Sequence, residues 1–441
     1  MVAANAMAFA QTRTEPTALA LRSAGRADAQ AFERLSYLCD RIGPRVACSE
    51  PFLKAVRWAE SLFKTDGQEV VRLEPVTTQP WVRGRERAAM LAPVPYELPM
   101  LGLGGSVATP TGGLEAPVVL VRSIAELGPQ VKGKIVLFAP NIPEGASGGE
   151  RYGIYAPLRF RGASRAAAFG AVAMLLRTAP VHSLGTPHTG MLAYDPGQPK
   201  IPAATVACEQ AEWMARLLAQ GQEVRVHLEM EAHSAGSVLT ANVVSEIRGS
   251  DRPDEIVLIG AHLDSWDIGQ GAQDDGVGVV QVVEALRLLK AQGLRPKRTI
   301  RAVLFVNEEH GLDGGRAYAA AHGQEKHVAA IECDSGCGMP RAWSVAGTPE
   351  QTGWFLQAAA PLGLPVRLGG GGSDLDALEA HGVLVGEMGV DVPEYFDVHH
   401  THADTLDKVD PKCLREGTGA MAALAWQLAN ALDAPLPGVR K

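Results

Sequence analysis

The second half of the chain alternates between short apolar runs and longer segments with helical periodicity. The runs predict strands at 256–259, 299–306, 328–333 and 383–388. The segments with helical spacing predict helices from about 277 to 290, at 314–322, at 350–362 and at 413–432. Strands that alternate with helices favour a parallel sheet covered on both faces. The sequence therefore predicts an α/β fold with a mostly parallel mixed sheet sandwiched by helices.

The part of the chain before residue 240 has a different predicted secondary-structure pattern. Residues 28–64 show two helical patterns, whereas residues 105–233 read as short strands with a few helices and no convergent catalytic residues. We expect 1–104 to be the N-terminal part of the main domain, 105–233 to be an inserted domain, and 234–441 to be the catalytic domain.

Composition limits the classes of partner. The chain has 441 residues, enough for two domains, with 46% hydrophobic and 20% charged residues and a net charge of -8. The chain contains no basic tract of the kind that binds nucleic acid, and no apolar run is long enough to span a bilayer. We therefore predict a globular protein with neither a nucleic acid nor a membrane as partner.

Six cysteines and the first residues bear on the compartment. Two pairs, Cys39 with Cys48 and Cys333 with Cys337, are close enough in sequence to bridge, but buried free thiols are slightly favoured. The start, MVAANAMAFAQ, ends in a small-x-small pattern typical of signal-peptidase sites, although it has no positive segment and only a short apolar part. We predict export, to the periplasm or outside the cell, with a cytoplasmic protein as the alternative.

Acidic and histidine side chains follow each predicted strand. In open α/β sheets, ligands bind at the carboxyl ends of the strands, so these side chains are expected to meet. Histidine and carboxylate together are typical zinc ligands, and their number exceeds the needs of one tetrahedral ion. It suits two ions about 3.5–4 Å apart that share a carboxylate. The residues concerned are His262, Asp264, Asp274, Asp275, Glu308, Glu309, Asp334, His399, His400 and His402.

Two of these residues have roles suggested by local spacing. Asp264 is too close to His262 for both to be ideal ligands of one ion, so we expect its side chain to accept the second imidazole N–H. In extended backbone, Glu308 and Glu309 would point in opposite directions, one toward a metal and one toward its water as general base. Position alone does not choose among the three histidines at 399–402.

Four motifs resemble those of a known family. They are similar to the motif set of the M28 zinc peptidases, above all its carboxypeptidase Q branch. The four motifs are GAHLDSWDIGQGAQDDGVG, FVNEEHGL, ECDSG and HHTHADTLDKVD. WVRGRE near residue 81 and LPMLGLGGSV near residue 98 extend the resemblance over nearly the whole chain. It implies that the insertion is a protease-associated (PA)-like domain and that the protein forms a homodimer.

The resemblance also implies a role for each site residue. Two zinc ions would be held by His262, Asp274, Glu309, Asp334 and His400. Glu308 would be the general base, with Asp264 supporting catalysis. In the loop GGGGSDLDAL, Leu375 stands where many relatives have histidine, which leaves the substrate contacts of that loop open.

These features predict a dinuclear zinc exopeptidase that cleaves short peptides or dipeptides, in the manner of a carboxypeptidase or dipeptidase, through a metal-bridged hydroxide and a glutamate base. The first alternative is an amidohydrolase of the same fold that acts on N-acyl amino acids or other non-peptide amides, which a substrate panel would distinguish. A non-catalytic binding protein is disfavoured because the ligand set and the base are complete. A cyclase with one zinc is disfavoured for the same reason.

Overall fold

The computed structural model describes residues 2–180, 182–392 and 394–436, with side-chain environments from residue 14 onward. The chain folds into two compact units. Among the described residues, the first unit consists of 2–78, 238–392 and 404–436, and the second of 79–180, 182–237 and 394–403.

The strands alternate with helices most regularly after residue 238. In chain order the strands are β1 Val70–Thr78, β2 Trp81–Val82, β3 Glu86–Ala92, β4 Tyr96–Leu98, β5 Met100–Gly102, β6 Leu114–Val121, β7 Ile135–Phe138, β8 Ala173–Arg177, β9 Ala203–Val206, β10 Arg225–Met230, β11 His233–Ser234, β12 Val238–Ile247, β13 Arg252–His262, β14 Arg298–Phe305, β15 Lys326–Glu332, β16 Met339–Ala346, β17 Val366–Leu368 and β18 Val385–Asp391.

The α-helices range from single turns to a 26-residue helix. They are α1 Val2–Ala27, α2 Gln30–Tyr37, α3 Glu50–Thr65, α4 Gly148–Ala167, α5 Cys208–Ala219, α6 Val277–Ala291, α7 Glu308–Gly311, α8 Asp313–His322, α9 Pro349–Ala359, α10 Asp376–Glu379, α11 Tyr395–Val398 and α12 Pro411–Asn430.

An eight-stranded sheet forms the centre of the first unit, in the order β1-β12-β14-β13-β15-β18-β16-β17. The four central strands β14, β13, β15 and β18 run parallel to one another. Antiparallel pairs join β1 to β12, β12 to β14, and β16 to β18. The predicted parallel region is therefore confirmed, but β16 and β17 were not anticipated, and the sheet is more mixed than the sequence indicated.

Alternate residues of β13 pack on opposite faces of this sheet. Val257 and Ile259 belong to a large core with residues of α3, α6 and α12. Leu258 belongs to a separate core with Tyr318 of α8 and Leu378 of α10. A central parallel strand needs apolar cover on both faces, and the helices on either side provide it as predicted.

The second unit contains its own eight-stranded sheet, in the order β4-β3-β10-β6-β7-β8-β9-β5. Its boundaries differ from the predicted insertion at 105–233. Strand β3 pairs with β10 and β5 pairs with β9, so the chain from residue 79 is already part of this sheet. The segment 394–403 also joins this unit, where Asp397 lies 3.4 Å from Arg151 of α4.

Other sequence predictions have mixed outcomes. All six cysteines lie among the described residues and are free, as favoured from the sequence. No helix of the described residues is long and apolar enough to cross a membrane. Met1 lies outside the described residues, and the backbone from Val2 belongs to α1. Export remains a prediction.

Candidate metal centre

The carboxyl ends of β13, β14 and β15 meet at one edge of the first sheet. His262 is the last residue of β13, Glu308 and Glu309 follow β14 closely, and Asp334 follows β15 by two residues. The parallel register pairs His262 with Phe305 and Gly260 with Glu332, so these ends are level. The predicted meeting of polar residues at this edge is therefore found in the structure.

His262 lies at the centre of the cluster and is fully buried. Its Nε2 atom is 3.0 Å from an oxygen of Asp274 and 3.4 Å from an oxygen of Asp334. Its Nδ1 atom is 3.1 Å from the main-chain oxygen of Asp264. If Nδ1 donates to that carbonyl, Nε2 presents a lone pair toward the two carboxylates, as a metal ligand must.

Two groups of potential ligand atoms share this histidine. One consists of His262, Asp274 and Glu309, and the other of His262, Asp275 and Asp334, with ligand atoms within 4.8 Å of one another in each group. Both oxygens of Asp275 accept backbone N–H groups, from His262 at 3.2 Å and from Gly278 at 3.0 Å. Asp275 is thus committed to the backbone, which favours Asp274 as the ligand of the pair.

The electrostatics of the cluster fit a divalent cation. Burial raises the pKa of Asp275 well above its usual range, and the charges of Asp334 and Asp274 raise it further. Burial disfavours the charged form of His262, yet the charge of Asp334 and the hydrogen bond to Asp274 hold its pKa well above the usual range. Several carboxylates face one imidazole, so negative charge is in excess. Oxygen and imidazole donors around excess negative charge are a suitable environment for zinc.

The role of Asp264 differs from the prediction. Its main-chain carbonyl, rather than its carboxylate, faces the second nitrogen of His262. The buried carboxylate instead accepts the backbone N–H groups of Glu308 at 3.2 Å and Glu309 at 3.4 Å. Asp264 therefore positions both glutamates through their amides, at the start of α7, where a negative charge is favourable.

The extended backbone predicted at Glu308 and Glu309, on which their different roles were based, is also wrong. Glu308 and Glu309 begin the helical turn α7 rather than continuing an extended strand, and Asn307 before them has a φ of 65°. Side chains of adjacent helical residues diverge by about 100°, so the two can still serve different purposes. Burial raises the pKa of Glu308 well above its usual range, with a contribution from Glu309. A raised pKa suits a group that must take up a proton near neutrality.

Two residues that support the site were missed in the sequence. Arg45 is fully buried, and its guanidinium donates to the main-chain oxygens of Leu263 at 2.7 Å, Gln270 at 2.8 Å and Gly271 at 2.9 Å. It therefore holds the loop that joins β13 to Asp274. Nothing in the local pattern around Arg45 indicated this role.

Asp404 is the second missed residue. One of its oxygens accepts the amides of Ala272 at 3.1 Å and Gln273 at 2.7 Å, and the other accepts that of Asp274 at 3.2 Å. Burial raises its pKa to about 7. Asp404 lies within the motif HHTHADT, whose histidines were the candidate ligands.

The last predicted ligand, His400, belongs to the second unit. There it forms a group with His188 and His399, whose ligand atoms lie within 4.8 Å of one another. Nε2 of His188 is 3.3 Å from Nδ1 of His399, and the main-chain oxygen of His400 accepts the amide of Thr189 at 2.9 Å. The sequence did not single out His188, which is fully buried.

Leu375 settles the question of the loop at 369–376. Its side chain is fully buried in the core that contains Phe305 and Tyr318. A buried leucine side chain in this core is not available to contact a substrate, unlike the histidine that many relatives have at this position.

Comparisons with known proteins agree with this picture. Residues 242–425 match the model of peptidase family M28. Carboxypeptidase Q of Bos taurus is 37% identical over 423 residues, covering 94% of this chain and 88% of that protein. The crystal structure of a peptidase M28 precursor from Shewanella amazonensis SB2B is 36% identical and covers 97% of this chain and 100% of that chain, with a TM-score of 0.91.

A zinc aminopeptidase from Bacillus subtilis shares the fold, with a TM-score of 0.66 at 20% identity, covering 90% of this chain and 94% of that chain. The match to carboxypeptidase Q covers nearly the whole chain at 37% identity, and the acidic cluster lies where the motifs predict it. Together these findings give the family. This chain belongs to peptidase family M28, the zinc metallopeptidases that its motifs resemble.

Proposed function

We propose that the protein is a dinuclear zinc exopeptidase that hydrolyses short peptides or dipeptides. The observation that carries this proposal is the position of His262 Nε2 at the end of β13, which lies within 3.4 Å of carboxylates from two different segments, Asp274 just before α6 and Asp334 just after β15. The adjacent Glu308 supplies the proton-transfer group that hydrolysis requires.

The proposed ligands are His262, Asp274, Glu309, Asp334 and His400. Asp274 and Glu309 group with His262, and the Asp334 carboxylate lies 3.4 Å from the same imidazole, so these four side chains would hold the ions. The assignment of His400 rests on the sequence motif alone. When bound, zinc polarises the scissile carbonyl and lowers the pKa of water.

Glu308 acts as the proton shuttle in this proposal. Its carboxylate takes a proton from the attacking water and donates it to the leaving amine. Asp264 holds the amide of Glu308 in place, and Arg45 and Asp404 fix the loop that carries Asp274. The buried setting excludes bulk water and strengthens these interactions.

The relatives support peptides as substrates. The relatives named carboxypeptidase Q favour a carboxypeptidase or dipeptidase. The alternative is an amidohydrolase of N-acyl amino acids, since the same ligand set could serve either reaction. We also propose that the second unit is a PA-like domain, that the protein is a homodimer and that it is exported.

A substrate panel tests the proposal. Zinc-loaded protein is assayed on dipeptides, on tripeptides and on N-acyl amino acids, with Glu308→Gln as the control for contaminating peptidases. We expect turnover of short peptides that the variant lacks. Turnover of N-acyl amino acids without turnover of peptides would favour the alternative.

A further inference from the structure

Two of the six free cysteines contact the same residue, Asp410. The Sγ atom of Cys337 lies 3.5 Å from the main-chain oxygen of Asp410. The Sγ atom of Cys413 lies 3.6 Å from a carboxylate oxygen of that residue. By contrast, Cys333 packs in the large core, and Cys48 contacts a threonine hydroxyl. The structure therefore brings together a pair of cysteines that sequence spacing did not suggest.

The two cysteines also share one apolar cluster. Cys337 is 5% exposed and belongs to a small core with Val409 and Leu414, and Cys413 packs against that core. The oxygen of Asp410 that contacts Cys337 also accepts the amide of Leu414 at 3.0 Å, and this amide belongs to the peptide bond that follows Cys413. Cys337 therefore packs against the first turn of α12, which carries Cys413. A disulfide requires Cα atoms about 4.4–6.8 Å apart, and packing against the same helical turn brings two residues into this range.

Cys337 ends the loop that carries the proposed ligand Asp334. Its amide donates to the side-chain oxygen of Gln273 at 2.6 Å, and the side-chain nitrogen of Gln273 donates to the main-chain oxygen of Lys408 at 2.7 Å. Gln273 directly precedes the second proposed ligand, Asp274. A bond from Cys337 to α12 would add a covalent tie to a network that already joins both ligand-bearing loops to the chain before α12.

We propose that a small disulfide oxidant, such as oxidised glutathione, joins Cys337 and Cys413 into a disulfide. The bond fastens the Asp334 loop to the start of α12. The thiols now make only weak sulfur hydrogen bonds to Asp410, so little is lost when the two side chains turn toward each other. The exported location that we propose places the protein where disulfides persist.

The reaction is thiol–disulfide exchange, and Cys413 begins it because its side chain is only partly buried. Its thiolate attacks one sulfur of the oxidant, whose S–S bond breaks and releases one glutathione thiolate. The sulfur of Cys337 then displaces the second glutathione from Cys413. The two protein thiols lose two electrons and two protons, and oxidised glutathione becomes two glutathione thiols. Burial and the charge of Asp410 raise the pKa of the Cys413 thiol, so the exchange is slow at neutral pH and faster at alkaline pH.

Thiol counts and peptide mapping test the proposal on the zinc-loaded protein. Reduced protein has six thiols that can be titrated after denaturation. After the native protein is incubated with oxidised glutathione, the count should fall by two, and a non-reducing digest should contain the peptides of Cys337 and Cys413 joined together. An unchanged count, or a link that involves another cysteine, would overturn the proposal.

The variants Cys337→Ser and Cys413→Ser separate the two steps. Cys337→Ser lacks the second thiol, so Cys413 should hold one glutathione as a mixed disulfide. Cys413→Ser lacks the attacking thiol, so the buried Cys337 should stay free. Glutathione bound equally in both variants would mean that the two thiols react independently and would overturn the proposed pair.

Cys39→Ser is the matched control. Cys39 is buried in the same small core as Cys337. In this variant the thiol count should again fall by two, with the Cys337–Cys413 link retained. Loss of that link would show that Cys39 takes part in the bond and would contradict the proposal.

Thermal unfolding and metal analysis of the wild-type protein need no variant and no catalytic activity. A disulfide that closes a long loop without distorting the native structure should raise the unfolding midpoint of the oxidised form by roughly 3–10 °C over the reduced form. A lower midpoint would show that the bond strains the native structure and would overturn the proposal. Zinc content should be equal in the two forms, because no proposed ligand is a cysteine. Loss of zinc on oxidation would show that the thiols hold metal, which the proposal excludes.

Discussion

Among the described residues, the two clusters that could hold a metal differ in chemistry. The cluster around His262 in the first unit contains one imidazole and several buried carboxylates. The cluster of His188, His399 and His400 in the second unit contains only imidazoles, packed among aromatic rings such as Tyr152 and Tyr395. Burial and the neighbouring imidazoles of His399 and His400 hold the pKa of His188 well below its usual range, which favours a neutral ring at this position.

The difference shows which cluster needs a cation. Carboxylates in a buried site repel one another until positive charge arrives, whereas neutral imidazoles pack without one. The first cluster also has dedicated support from Arg45 and Asp404, which hold its loop through main-chain groups. We therefore propose that catalysis takes place at the acidic cluster, and the predictions below are chosen to break or sharpen that contrast.

The largest effect is expected from Glu308→Gln. The variant loses the proton shuttle but no proposed ligand, so turnover should fall by roughly two to four orders of magnitude. Zinc content, measured by elemental analysis, should stay at the wild-type value. Glu309→Gln is the matched comparison, because a neutral amide is a poor zinc ligand and metal should be lost. Equal metal loss in both variants would show that the two roles are assigned wrongly.

The second prediction compares two histidines of the second unit. His400→Gln should lower zinc content and activity together, since His400 is a proposed ligand. His188→Gln should keep zinc affinity and activity within about 10-fold of wild type, because His188 is not a proposed ligand. Larger losses are expected only when a metal ligand or a residue that orients a ligand is changed. Elemental analysis and peptide hydrolysis measure both. Metal loss in His188→Gln would reveal a separate site made of the histidine cluster and would break the contrast.

The third prediction concerns Arg45. Arg45→Met leaves three main-chain carbonyls without their donor, so the free energy of unfolding should fall by about 2–5 kcal/mol. Urea unfolding measures this change. Arg41→Met, at a neighbouring exposed position, is the control and should change the free energy by less than about 0.5 kcal/mol. Similar small effects at both positions would mean that the loop does not depend on Arg45.

A smaller effect is expected from Asp404→Asn. The amide keeps one acceptor oxygen for the amides of residues 272–274 but loses the charge, so the free energy of unfolding should fall by about 1–2 kcal/mol. Zinc affinity should weaken by roughly 10- to 100-fold, as is usual for groups that orient ligands. Titration of the metal-free protein with zinc measures the affinity. Unchanged affinity would indicate that Asp404 supports the fold but not the site.

The sequence predicted the parallel strands and the residues at their ends because both leave local signals. Apolar runs such as 256–259 and the polar residues that follow them can be read without knowing the fold. The support from Arg45 and Asp404 could not be read in this way, because each contacts main-chain groups more than 120 residues away. A side chain that serves distant carbonyls or amides has no periodic pattern of its own.

The domain boundary shows the same limit. Residues 86–102 were placed in the main domain, but β3 and β5 pair with strands more than 90 residues later. The predicted role of Asp264 is wrong for a related reason. Its main-chain oxygen faces His262, whereas its carboxylate accepts the amides of Glu308 and Glu309. Sequence spacing indicates which residue is near His262 but not which of its atoms makes the contact.

The most direct test of the central claim is the number of zinc ions bound by the acidic cluster. Metal-free protein is titrated with zinc, and the bound metal is counted for wild type and for His262→Ala. We predict two equivalents per wild-type chain, and the loss of at least one with activity in the variant. An unchanged metal count in His262→Ala, or wild-type protein that binds only a trace and gains no activity with added zinc, would contradict the account.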